Sequence, residues 1–598
     1  MLGYAPVSRR LLRPAAVAVL LLSAAAVPAG ARTEVTALPP PSPSTKTVLV
    51  PGITYERQVR DGGQVVHILR VRPGARQSVR PILAGGSPSQ RGSVTGAVAS
   101  RRAEGAVAAM NGDFFNFEHA NPSGLLLSGG ELVSEPEAGR SSLVFQPDRL
   151  LAAARLAFAG TYETVDPAGI VPPRSRRIDA MNRPAILGSE TILFTPAYGQ
   201  VDTPTGDSLF EARIRLDEDR PFLANEVRGG TVIATGAGGG MTIGAGHAVV
   251  TGVGSAGRNL ARELAPGQRV NLATGVTGLP PGAADAIGGG PLLVSNGQAV
   301  HAAGEGFSGS QLYGRTSRSA VAQTVDGTIL LVTAEGPQQG SPGLTVAEQA
   351  DLMAALGARV AIGMDGGGSA QLAVGDDLVI PWDSPRRVST ALLVAYQGLQ
   401  LSTLPFRISP NGDGVDDRAG VVVAATAPGR TKVALVARPG NEATVLFDGP
   451  LGPGEQPIRI DPLRLEAADG VYEVVARQVP DDGSPPTTQR RRVIVDRTLA
   501  SLTARPTKAR VGKKRRPVLD VGFRLVHQAR VTVEVRTPSG TVLKRLSNGR
   551  VTAAGRHSLR WGRRAGGERV DGAVEVVVIA RTKLGQSGLQ RSVGLAKP

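Results

Sequence analysis

Short apolar runs separated by glycine-rich turns fill the chain from Val48 to about Gly398. Runs of this length, bounded by Gly, Pro and Asn, are typical of β-strands. One segment, residues 346–356, instead repeats its apolar positions at helical spacing. Thr345 and Glu348 form a capping-box pattern at its start, and Gly357 marks its end. The pattern predicts an α+β, β-rich domain with few helices.

The hydrophobic pattern changes after a break near residues 402–411. Val-rich alternating segments follow, such as 421–423 and 531–535, with turns about every ten residues. This spacing is typical of β-sandwiches. We therefore predict a catalytic domain over residues 48–400, followed by two all-β modules over 401–498 and 499–598.

The N-terminus has the pattern of a secretory signal. Arginines precede an apolar run over residues 15–27, and Ala29-Gly30-Ala31 is a cleavage-site pattern. We predict a signal peptide over residues 1–31 and a Pro/Ser/Thr linker over 32–47. Arg9-Arg10 also resembles a twin-arginine signal, although Sec export is favoured. The expected product is secreted or associated with the cell envelope, with no membrane span after cleavage.

The net charge of +17 is confined to the C-terminus. Residues 501–598 carry 22 basic and five acidic side chains, which accounts for the whole excess, whereas residues 32–500 carry 42 and 45. Nothing in the predicted catalytic domain indicates nucleic-acid binding. The basic module, including the run 513–516, is instead expected to hold the protein on an anionic cell wall or surface polymer. A solvated basic face is the alternative.

Several familiar kinds of site are excluded or disfavoured. The chain has no Cys, so disulfides, thiolate metal sites and a cysteine nucleophile are excluded. Its six His include no pair at helical spacing, which disfavours a histidine metal site. Residues 249–257 fit a strand followed by GxGxxG, but no acidic residue ends the next strand, so a dinucleotide site is disfavoured.

Three buried strands of the first domain end in a glycine-rich turn. They lead into Asn111-Gly112-Asp113, Gly288-Gly289-Gly290 and Asp365-Gly366-Gly367-Gly368-Ser369. A strand end can hold a carboxylate or amide rigidly, and adjacent glycine N–H groups can form an anion nest. Asp365 is the first catalytic candidate, although a turn-capping role stays open. Arg318, at the start of another strand, is either a solvated charge or a phosphate ligand.

Six motifs that occur in order resemble one family. They are Asn111–Phe115, Asn182-Arg183-Pro184, Ile287–Leu293, Arg318-Ser319-Ala320 with Asp326-Gly327, Ser341–Thr345 and Asp365–Ser369. The set is similar to the phosphodiester glycosidases, the family related to the enzyme that uncovers mannose 6-phosphate tags on lysosomal proteins. The resemblance extends over residues 106–394.

The resemblance implies hydrolysis of a sugar-1-phosphodiester of the N-acetylglucosamine type, without a cofactor. It implies acid, base or nucleophile roles for Asp365 and Glu335, with Asp113 as a further carboxylate. Arg318 and the N–H groups of Gly366, Gly367 and Gly368 would hold phosphate, and Asn111 would bind sugar or orient water. The remaining candidates for substrate binding are Gly112, Arg183, Gly289 and Ser369.

The sequence departs from the family pattern at two candidate sites. Asp113 stands where glycine is common, and Glu335-Gly336-Pro337 stands where the family has Asp-Gly-Arg. The second departure keeps a carboxylate but loses an arginine. A non-catalytic protein that binds glycan or cell wall therefore remains an alternative. A phosphodiesterase that cuts P–O instead of C–O is a third.

The opening of the first module resembles another family. Residues 409–417, with the sequence Ser-Pro-Asn-Gly-Asp-Gly-Val-Asp-Asp, are similar to immunoglobulin-like modules of the flagellar hook-cap type. Such modules usually act as spacers or adhesion units. Asp413, Asp416 and Asp417 could bind Ca²⁺, but the EF-hand spacing fails, so an Asx-type turn is favoured.

Overall fold

The computed structural model of the protein describes residues 36–37, 45–166, 168, 172–184, 188–301, 305–402, 407–511 and 514–595. Within these residues the chain forms 44 strands, four α-helices and five short 3-10 helices. The β-rich architecture with few helices is therefore confirmed. The predicted signal peptide and most of the linker lie outside the described residues. No helix of the described part is long and apolar enough to cross a membrane.

The strands up to residue 216 begin with one short strand near the N-terminus and continue through the first half of the predicted catalytic domain. They are β1 (Thr36–Ala37), β2 (Thr45–Val50), β3 (Ile53–Val59), β4 (Val65–Val71), β5 (Gln77–Leu83), β6 (Ala106–Asn111), β7 (Leu126–Ser128), β8 (Glu131–Ser134), β9 (Ser141–Phe145), β10 (Leu151–Arg155), β11 (Ala157–Val165), β12 (Arg174–Ile178), β13 (Ala180–Met181), β14 (Thr191–Phe194) and β15 (Thr205–Leu216).

The strands between residues 227 and 401 complete this region. They are β16 (Val227–Gly239), β17 (His247–Val253), β18 (Arg269–Thr277), β19 (Asp285–Gly288), β20 (Leu292–Ser295), β21 (Gln298–Ala299), β22 (Arg318–Thr324), β23 (Ile329–Ala334), β24 (Ala358–Met364), β25 (Leu372–Val374), β26 (Asp377–Leu378), β27 (Thr390–Tyr396) and β28 (Gln400–Leu401).

The strands after residue 406, together with β28 and β1, build the two C-terminal modules. They are β29 (Arg407–Ile408), β30 (Ala419–Ala425), β31 (Gly429–Arg438), β32 (Ala443–Leu451), β33 (Gly454–Ile460), β34 (Gly470–Pro480), β35 (Thr487–Val495), β36 (Leu499–Val511), β37 (Lys514–Leu525), β38 (Ala529–Arg536), β39 (Val542–Thr552), β40 (Gly555–Trp561), β41 (Arg564–Ala565), β42 (Glu568–Arg569), β43 (Gly572–Thr582) and β44 (Gly585–Leu595).

The helices are short and lie in the first region. The α-helices are α1 (Val94–Ala99), α2 (Ser255–Glu263), α3 (Gly309–Tyr313) and α4 (Val346–Ala355), and the 3-10 helices are Asp61–Gly63, Arg102–Glu104, Pro196–Tyr198, Pro337–Gln339 and Gly367–Ser369. The predicted helix over 346–356 is confirmed as α4. Thr345 and Glu348 form its capping box, and Gly357 follows with a φ of 85°.

Four sheets make up the first region. Sheet I has the order β2-β3-β4-β23-β22-β24-β20-β21, sheet II the order β26-β25-β6-β27-β5, sheet III the order β10-β9-β19-β7-β8, and sheet IV the order β12-β11-β18-β16-β15-β17-β14-β13. Neighbouring strands are antiparallel except for the parallel pair β13–β14.

The cores lie between these sheets. One contains Ile362 of sheet I, Met110 of sheet II and Ile287 of sheet III, so three sheets share it. A second lies between sheets III and IV, and α4 covers the opposite face of sheet I through a third. Apolar residues near the ends of β6, β19 and β24 are buried in these cores. Their burial fixes the positions of the glycine-rich turns that follow.

Each C-terminal module packs a three-stranded sheet on a five-stranded sheet. The first pairs β28-β30-β33 with β29-β35-β34-β31-β32 over one core, and the second pairs β36-β37-β40 with β1-β44-β43-β38-β39 over another. The chain divides into two compact units. As far as the structure describes them, one comprises residues 45–408 and 418–495, and the other residues 36–37, 409–417 and 496–595. The predicted boundaries at 400 and 498 stay predictions.

Candidate functional site

The three glycine-rich strand ends converge at one place. The side-chain amide of Asn111, which ends β6, donates a 2.8 Å hydrogen bond to the carbonyl of Asp365, just after β24. The N–H of Asp365 donates to the carbonyl of Gly112 at 3.1 Å. Beyond β19, the N–H of Gly290 donates to the carbonyl of Gly363 at 2.9 Å. Sheets I, II and III therefore meet where the sequence placed the candidate chemistry.

Asn111 holds this junction together from the inside. Its side chain is fully buried, and its Oδ1 accepts from the hydroxyl of Ser319 at 2.7 Å and from the N–H of Gln371 at 3.0 Å. The neighbouring Gly112 donates its N–H to the carbonyl of Thr390 at 2.9 Å. The side-chain amide of Asn111 is thus hydrogen-bonded to other parts of the chain. Neither Asn111 nor Gly112 lines the cavity described next.

A cavity of about 430 Å³ opens beside the Asp365 turn. Asp365 is the one carboxylate that lines it within the described part of the chain. The walls also carry three aromatic rings and three guanidinium groups, which belong to Phe114, Phe117, Phe307, Arg315, Arg318 and Arg386. A cavity with an apolar lining and a few convergent polar groups has the character of a ligand site.

Asp365 is held in a setting that favours its neutral form. Burial raises the pKa of Asp365 to about 6, against the opposing effects of a hydrogen bond with Ser369, the charges of Arg386 and Arg140, and the N–H of Gly366. The hydroxyl of Ser369 also accepts from Nη1 of Arg386 at 3.1 Å. A carboxyl with a pKa near 6 can accept or release a proton close to neutral pH.

Arg318 brings a positive charge to the same turn without a carboxylate partner in the described residues. Its Nε donates to the carbonyl of Leu344 at 3.0 Å, and its Nη2 to those of Gln311 and Gly314 at 2.7 and 2.8 Å. Burial lowers the pKa of Arg318 to about 10, so the group stays protonated at neutral pH. A Cβ at Gly366 would lie 3.8 Å from Nη1, which places that nitrogen against the turn.

The glycines of the turn let a guanidinium approach the backbone. A Cβ at Gly368 would lie 2.9 Å from Nη2 of Arg386, so a larger residue would displace that group. The turn was predicted to offer the N–H groups of residues 366–368 to phosphate. The N–H of Gly367, however, already donates to the carbonyl of Ser317 at 2.8 Å. Positive side chains, more than free backbone N–H groups, therefore surround this turn.

Asp113 lies behind the cavity wall in a slot that only glycines leave open. Its side chain is 1% exposed, and a Cβ at Gly124 or Gly288 would overlap its Oδ2. That oxygen is buried with no hydrogen-bond partner among the described residues. Burial raises the pKa of Asp113 to about 6, against the charge of Arg140, and the charge of Asp365 raises it further. Asp365 is thus close enough to influence the ionisation of Asp113.

Arg140 joins this carboxyl to the cavity, and the sequence analysis missed it. Its Nη2 donates to Oδ1 of Asp113 at 3.2 Å and to the carbonyl of Gly289 at 3.0 Å. The guanidinium carbon lies 4.6 Å from the ring centroid of Phe114 and 5.0 Å from that of Phe307. No motif marks Arg140. The only available signal was that a buried carboxylate at Asp113 needs a cation.

Glu335 occupies a different place, outside the cavity lining. Its Oε1 lies 2.9 Å from Nε2 of His67, whose Nδ1 lies 2.8 Å from the hydroxyl of Tyr55. Glu335 and His67 are 5% and 1% exposed. Burial raises the pKa of Tyr55 to about 12. The structure therefore does not bring Glu335 together with Asp365 at the cavity, and its predicted catalytic role has no geometric support there.

Arg183 also lies outside the cavity lining. Its Nε donates to Glu135 at 2.8 Å, and its two terminal nitrogens donate to Glu190 at 3.0 and 3.2 Å. A guanidinium bound by two carboxylates has little attraction left for a phosphate. Of the predicted substrate-binding residues, Arg318, Gly366 and Gly367 line the cavity. Gly368 and Ser369 lie next to Arg386. The carbonyl of Gly289 accepts from Arg140.

The acidic loop of residues 409–417 uses its carboxylates for backbone hydrogen bonds. Oδ1 of Asp417 accepts from Asn411 and Gly412, and its Oδ2 from Gly414, all at 2.8–2.9 Å. Oδ1 of Asp413 accepts from the N–H of Val415, two residues on, at 3.0 Å. These are Asx-type turn bonds. Among the described residues no group of three or more His, Asp or Glu side chains could hold a metal ion. This includes Asp413, Asp416 and Asp417, where the sequence left Ca²⁺ as the alternative to a turn.

Comparison with known families supplies the deciding observation. Residues 223–395 match the family model described as phosphodiester glycosidase. Residues 223–395 are a phosphodiester glycosidase domain. The matched stretch includes Arg318, Glu335 and Asp365, whereas Asn111, Asp113 and Arg140 precede it. The family resemblance predicted from the sequence motifs is confirmed for this stretch.

Solved structures are similar to part of the chain. A hypothetical protein from Synechocystis is 24% identical, with 61% of this chain and 68% of that chain covered and a TM-score of 0.50. The catalytic domain of zebrafish N-acetylglucosamine-1-phosphodiester alpha-N-acetylglucosaminidase, auto-inhibited by its pro-peptide, is 14% identical. There 61% of this chain and 88% of that chain are covered, with a TM-score of 0.30. No curated protein matches the chain.

Proposed function

We propose that the protein is a glycosidase that hydrolyses a sugar-1-phosphodiester of the N-acetylglucosamine type, in an envelope glycan or polymer. One observation carries the proposal. The carboxyl of Asp365 lines a cavity within a family-matched domain, with the guanidinium groups of Arg318 and Arg386 beside its turn. The zebrafish protein named above acts on an N-acetylglucosamine-1-phosphodiester according to its name, which agrees with this substrate class.

Arg318 and Arg386 are the groups that we assign to the phosphodiester. Neither has a carboxylate within ion-pair distance in the part of the chain that the structure describes. Arg318 is also partly buried, so its charge is costly until an anion reaches it. A phosphodiester carries one negative charge and can accept from both guanidinium groups. Phosphate binding between them would place the attached sugar against Asp365.

Asp365, in its ionised form, would activate water for attack on the anomeric carbon. The water oxygen forms a bond to that carbon and gives its proton to Asp365. The bond between the anomeric carbon and the phosphate oxygen breaks, and its electron pair leaves with the phosphate. The products are the free sugar and a phosphomonoester. Since phosphate is a fair leaving group, a second carboxylic acid in the cavity is not required, which agrees with the position of Glu335 outside it.

The first test is isotopic. Purified full-length protein is incubated with the methyl phosphodiester of N-acetylglucosamine-1-phosphate in ¹⁸O water. C–O cleavage puts the label in the sugar and none in methyl phosphate. Label in phosphate would show a phosphodiesterase that cuts P–O. Binding of the diester without turnover would support a non-catalytic glycan-binding protein and would contradict the proposal.

The regions around the domain extend the proposal. We propose that residues 1–31 export the protein through the Sec route and that the protein works outside the cytoplasm, secreted or at the cell envelope. The two modules, each a pair of sheets over one core, are proposed to be immunoglobulin-like spacers of the hook-cap type. The N-terminal sequence of protein recovered from the culture medium or envelope fraction tests the export route, since a chain starting at Met1 would contradict signal cleavage.

The basic second module is proposed to tether the enzyme to an anionic polymer. Arg524 and Arg556 are exposed and directly opposite each other on β37 and β40. Like charges in opposite positions destabilise a sheet, and a polyanion would relieve their repulsion. The double variant R524E/R556E should lose salt-sensitive binding to isolated cell wall. The charge-matched control R477E/R490E changes two exposed residues of the first module, and equal loss in both variants would contradict a localised tether.

A further inference from the structure

Phe117 is an exposed aromatic ring on the rim of the cavity. It lines the cavity together with Phe114, yet 60% of its surface is open to solvent. Its loop is ordered by Asn116, whose Oδ1 accepts from the N–H groups of Glu118 and His119 at 2.8 Å. A large exposed apolar group beside a ligand cavity is more informative than an isolated surface residue.

The ring of Phe117 is held in place from two sides. It packs at 5.0 Å, centroid to centroid, on the ring of Phe115, which is 5% exposed. The guanidinium carbon of Arg386 lies 5.0 Å from its centroid. A cation over the face of a ring is attracted to it. These contacts leave the remaining surface of a fixed ring open, as a stacking platform requires.

The platform is connected directly to the reacting group. Arg386, which packs on Phe117, also donates from Nη1 to the hydroxyl of Ser369 at 3.1 Å. Ser369 in turn is hydrogen-bonded to the carboxyl of Asp365. A ligand group stacked on Phe117 would therefore lie next to the phosphate, on the side where Arg386 holds it.

The size of the cavity limits what else fits inside. At about 430 Å³, it lies near the lower end of the range of about 300–1,000 Å³ that is typical of small-molecule sites. One sugar with its phosphate fills such a space, so whatever the phosphate is attached to must pass the rim. The rim there offers Phe117, an apolar face without a hydrogen-bonding atom.

We propose that Phe117 is a stacking platform for a sugar ring on the far side of the phosphate, so that the preferred substrates carry a saccharide aglycone. The C–H face of a sugar ring is apolar and weakly positive, which suits the negative face of an aromatic ring. This inference rests on the proposed function, because it needs a phosphodiester at Asp365. It makes Phe117 a specificity-determining residue.

The test compares two diesters of N-acetylglucosamine-1-phosphate with full-length protein. One is esterified to methanol and the other to a primary hydroxyl of cellobiose. Phe117→Ala should lower kcat/KM for the cellobiosyl diester at least tenfold more than for the methyl diester, because only the first substrate loses a stacked sugar ring. Phe117→Tyr, which keeps the ring, should retain the preference. Equal loss on both substrates, or no loss on either, would overturn the proposal.

Tyr313 provides a matched control. It is an exposed aromatic residue, 78% open to solvent, and it follows Leu312 of the cavity wall without lining the cavity itself. Tyr313→Ala should leave kcat/KM for both diesters within twofold. An effect on the cellobiosyl diester as large as that of Phe117→Ala would show that any rim aromatic matters and would contradict a specific platform.

A failure of the proposed function gives a different result. If the wild-type protein hydrolyses neither diester, the assignment of the reaction fails whatever Phe117 does. Saturation-transfer NMR with the cellobiosyl diester then still reports on the platform. Contact between the cellobiose ring protons and the wild-type protein should disappear in Phe117→Ala and persist in Tyr313→Ala. Contact that persists in both variants, or is absent from the wild type, would overturn the stacking role.

Discussion

Asp365 and Glu335 follow strands that end at the same edge of sheet I, yet their surroundings differ. Each directly follows a strand, β24 or β23, and both strands pair antiparallel with β22. Beyond β24, the turns of sheets II and III leave a cavity at Asp365. Beyond β23, His67 of the neighbouring β4 is within 2.9 Å of Glu335 and closes the space. A strand-end carboxylate is therefore a site only where neighbouring sheets leave room beside it.

The largest effect that separates the two carboxylates is expected at Asp365. Asp365→Asn keeps the size of the side chain but cannot take a proton from water, so kcat should fall by about 10²–10⁴. Unfolding in denaturant should show that the variant stays folded. Wild-type kcat/KM should rise with pH through about 6, the pKa of Asp365 in the protein without substrate. Retention of wild-type kcat by a folded variant would remove Asp365 from the mechanism.

The next effect concerns the ion pair behind the cavity. Arg140→Met leaves Asp113 buried without its cation, and losing one partner of a buried pair costs about 3–5 kcal/mol. The folded-state pKa of Asp113 is already raised to about 6, and the loss of Arg140 raises it further. Below pH 6 the carboxyl is mostly neutral in both proteins, so the extra loss of stability in the variant grows as the pH rises above about 6. Denaturant unfolding should therefore show a small loss at pH 4.5 and a much larger loss at pH 8.

The double variant R140M/D113N is the control for this ion pair. With the carboxylate gone, the pH-dependent part of the destabilisation should disappear, because no buried charge is left uncompensated. An equal loss of stability at pH 4.5 and pH 8 in Arg140→Met would mean that packing on the two phenylalanine rings, and not charge, explains the effect.

A smaller effect is expected on the pH profile of Asp113→Asn. Coulomb repulsion is mutual, so removing the charge of Asp113 stabilises the ionised form of Asp365. The acidic limb of kcat/KM against pH should move to lower pH while the alkaline side is unchanged. A limb that stays at the wild-type position would show that the two carboxyls do not interact.

The smallest effect is expected at Glu335. Glu335→Gln retains an oxygen that can accept from His67, so the free energy of unfolding should change by about 1 kcal/mol or less. Glu335→Ala leaves His67 buried without that partner and should cost about 1–3 kcal/mol. Equal losses in the two variants would mean that His67 gains nothing from an acceptor at this position.

Much of this picture was predictable from sequence because local chemistry determined it. The capping box of α4 and the alternating Val-rich strands follow from short-range preferences, and the three glycine-rich turns mark strand ends by composition alone. The convergence of these three turns at one place was harder to predict. It depends on three different sheets sharing one core, which strand periodicity does not specify.

The positions of Glu335 and Arg183 outside the cavity, and the importance of Arg140, were hard to predict for one physical reason. Motifs mark Glu335 and Arg183 but not Arg140. The setting of each depends on a partner at least 27 residues away in sequence, and that of Arg183 also on Glu190 close by. His67 faces Glu335 across a strand pair, and Arg140 follows Asp113 by 27 residues, with β7 and β8 between them. Charges that pair across such distances leave no local pattern, so motif matching selected Arg183 and passed over Arg140.

The central claim is that Asp365, and not Glu335, is the carboxylate that acts on the phosphodiester. The most direct measurement is kcat/KM of Asp365→Asn and Glu335→Gln, side by side in full-length protein, with the methyl diester of N-acetylglucosamine-1-phosphate at pH 7. The account predicts a loss of about 10²–10⁴ for Asp365→Asn and less than twofold for Glu335→Gln. A loss for Glu335→Gln as large as that for Asp365→Asn would contradict it.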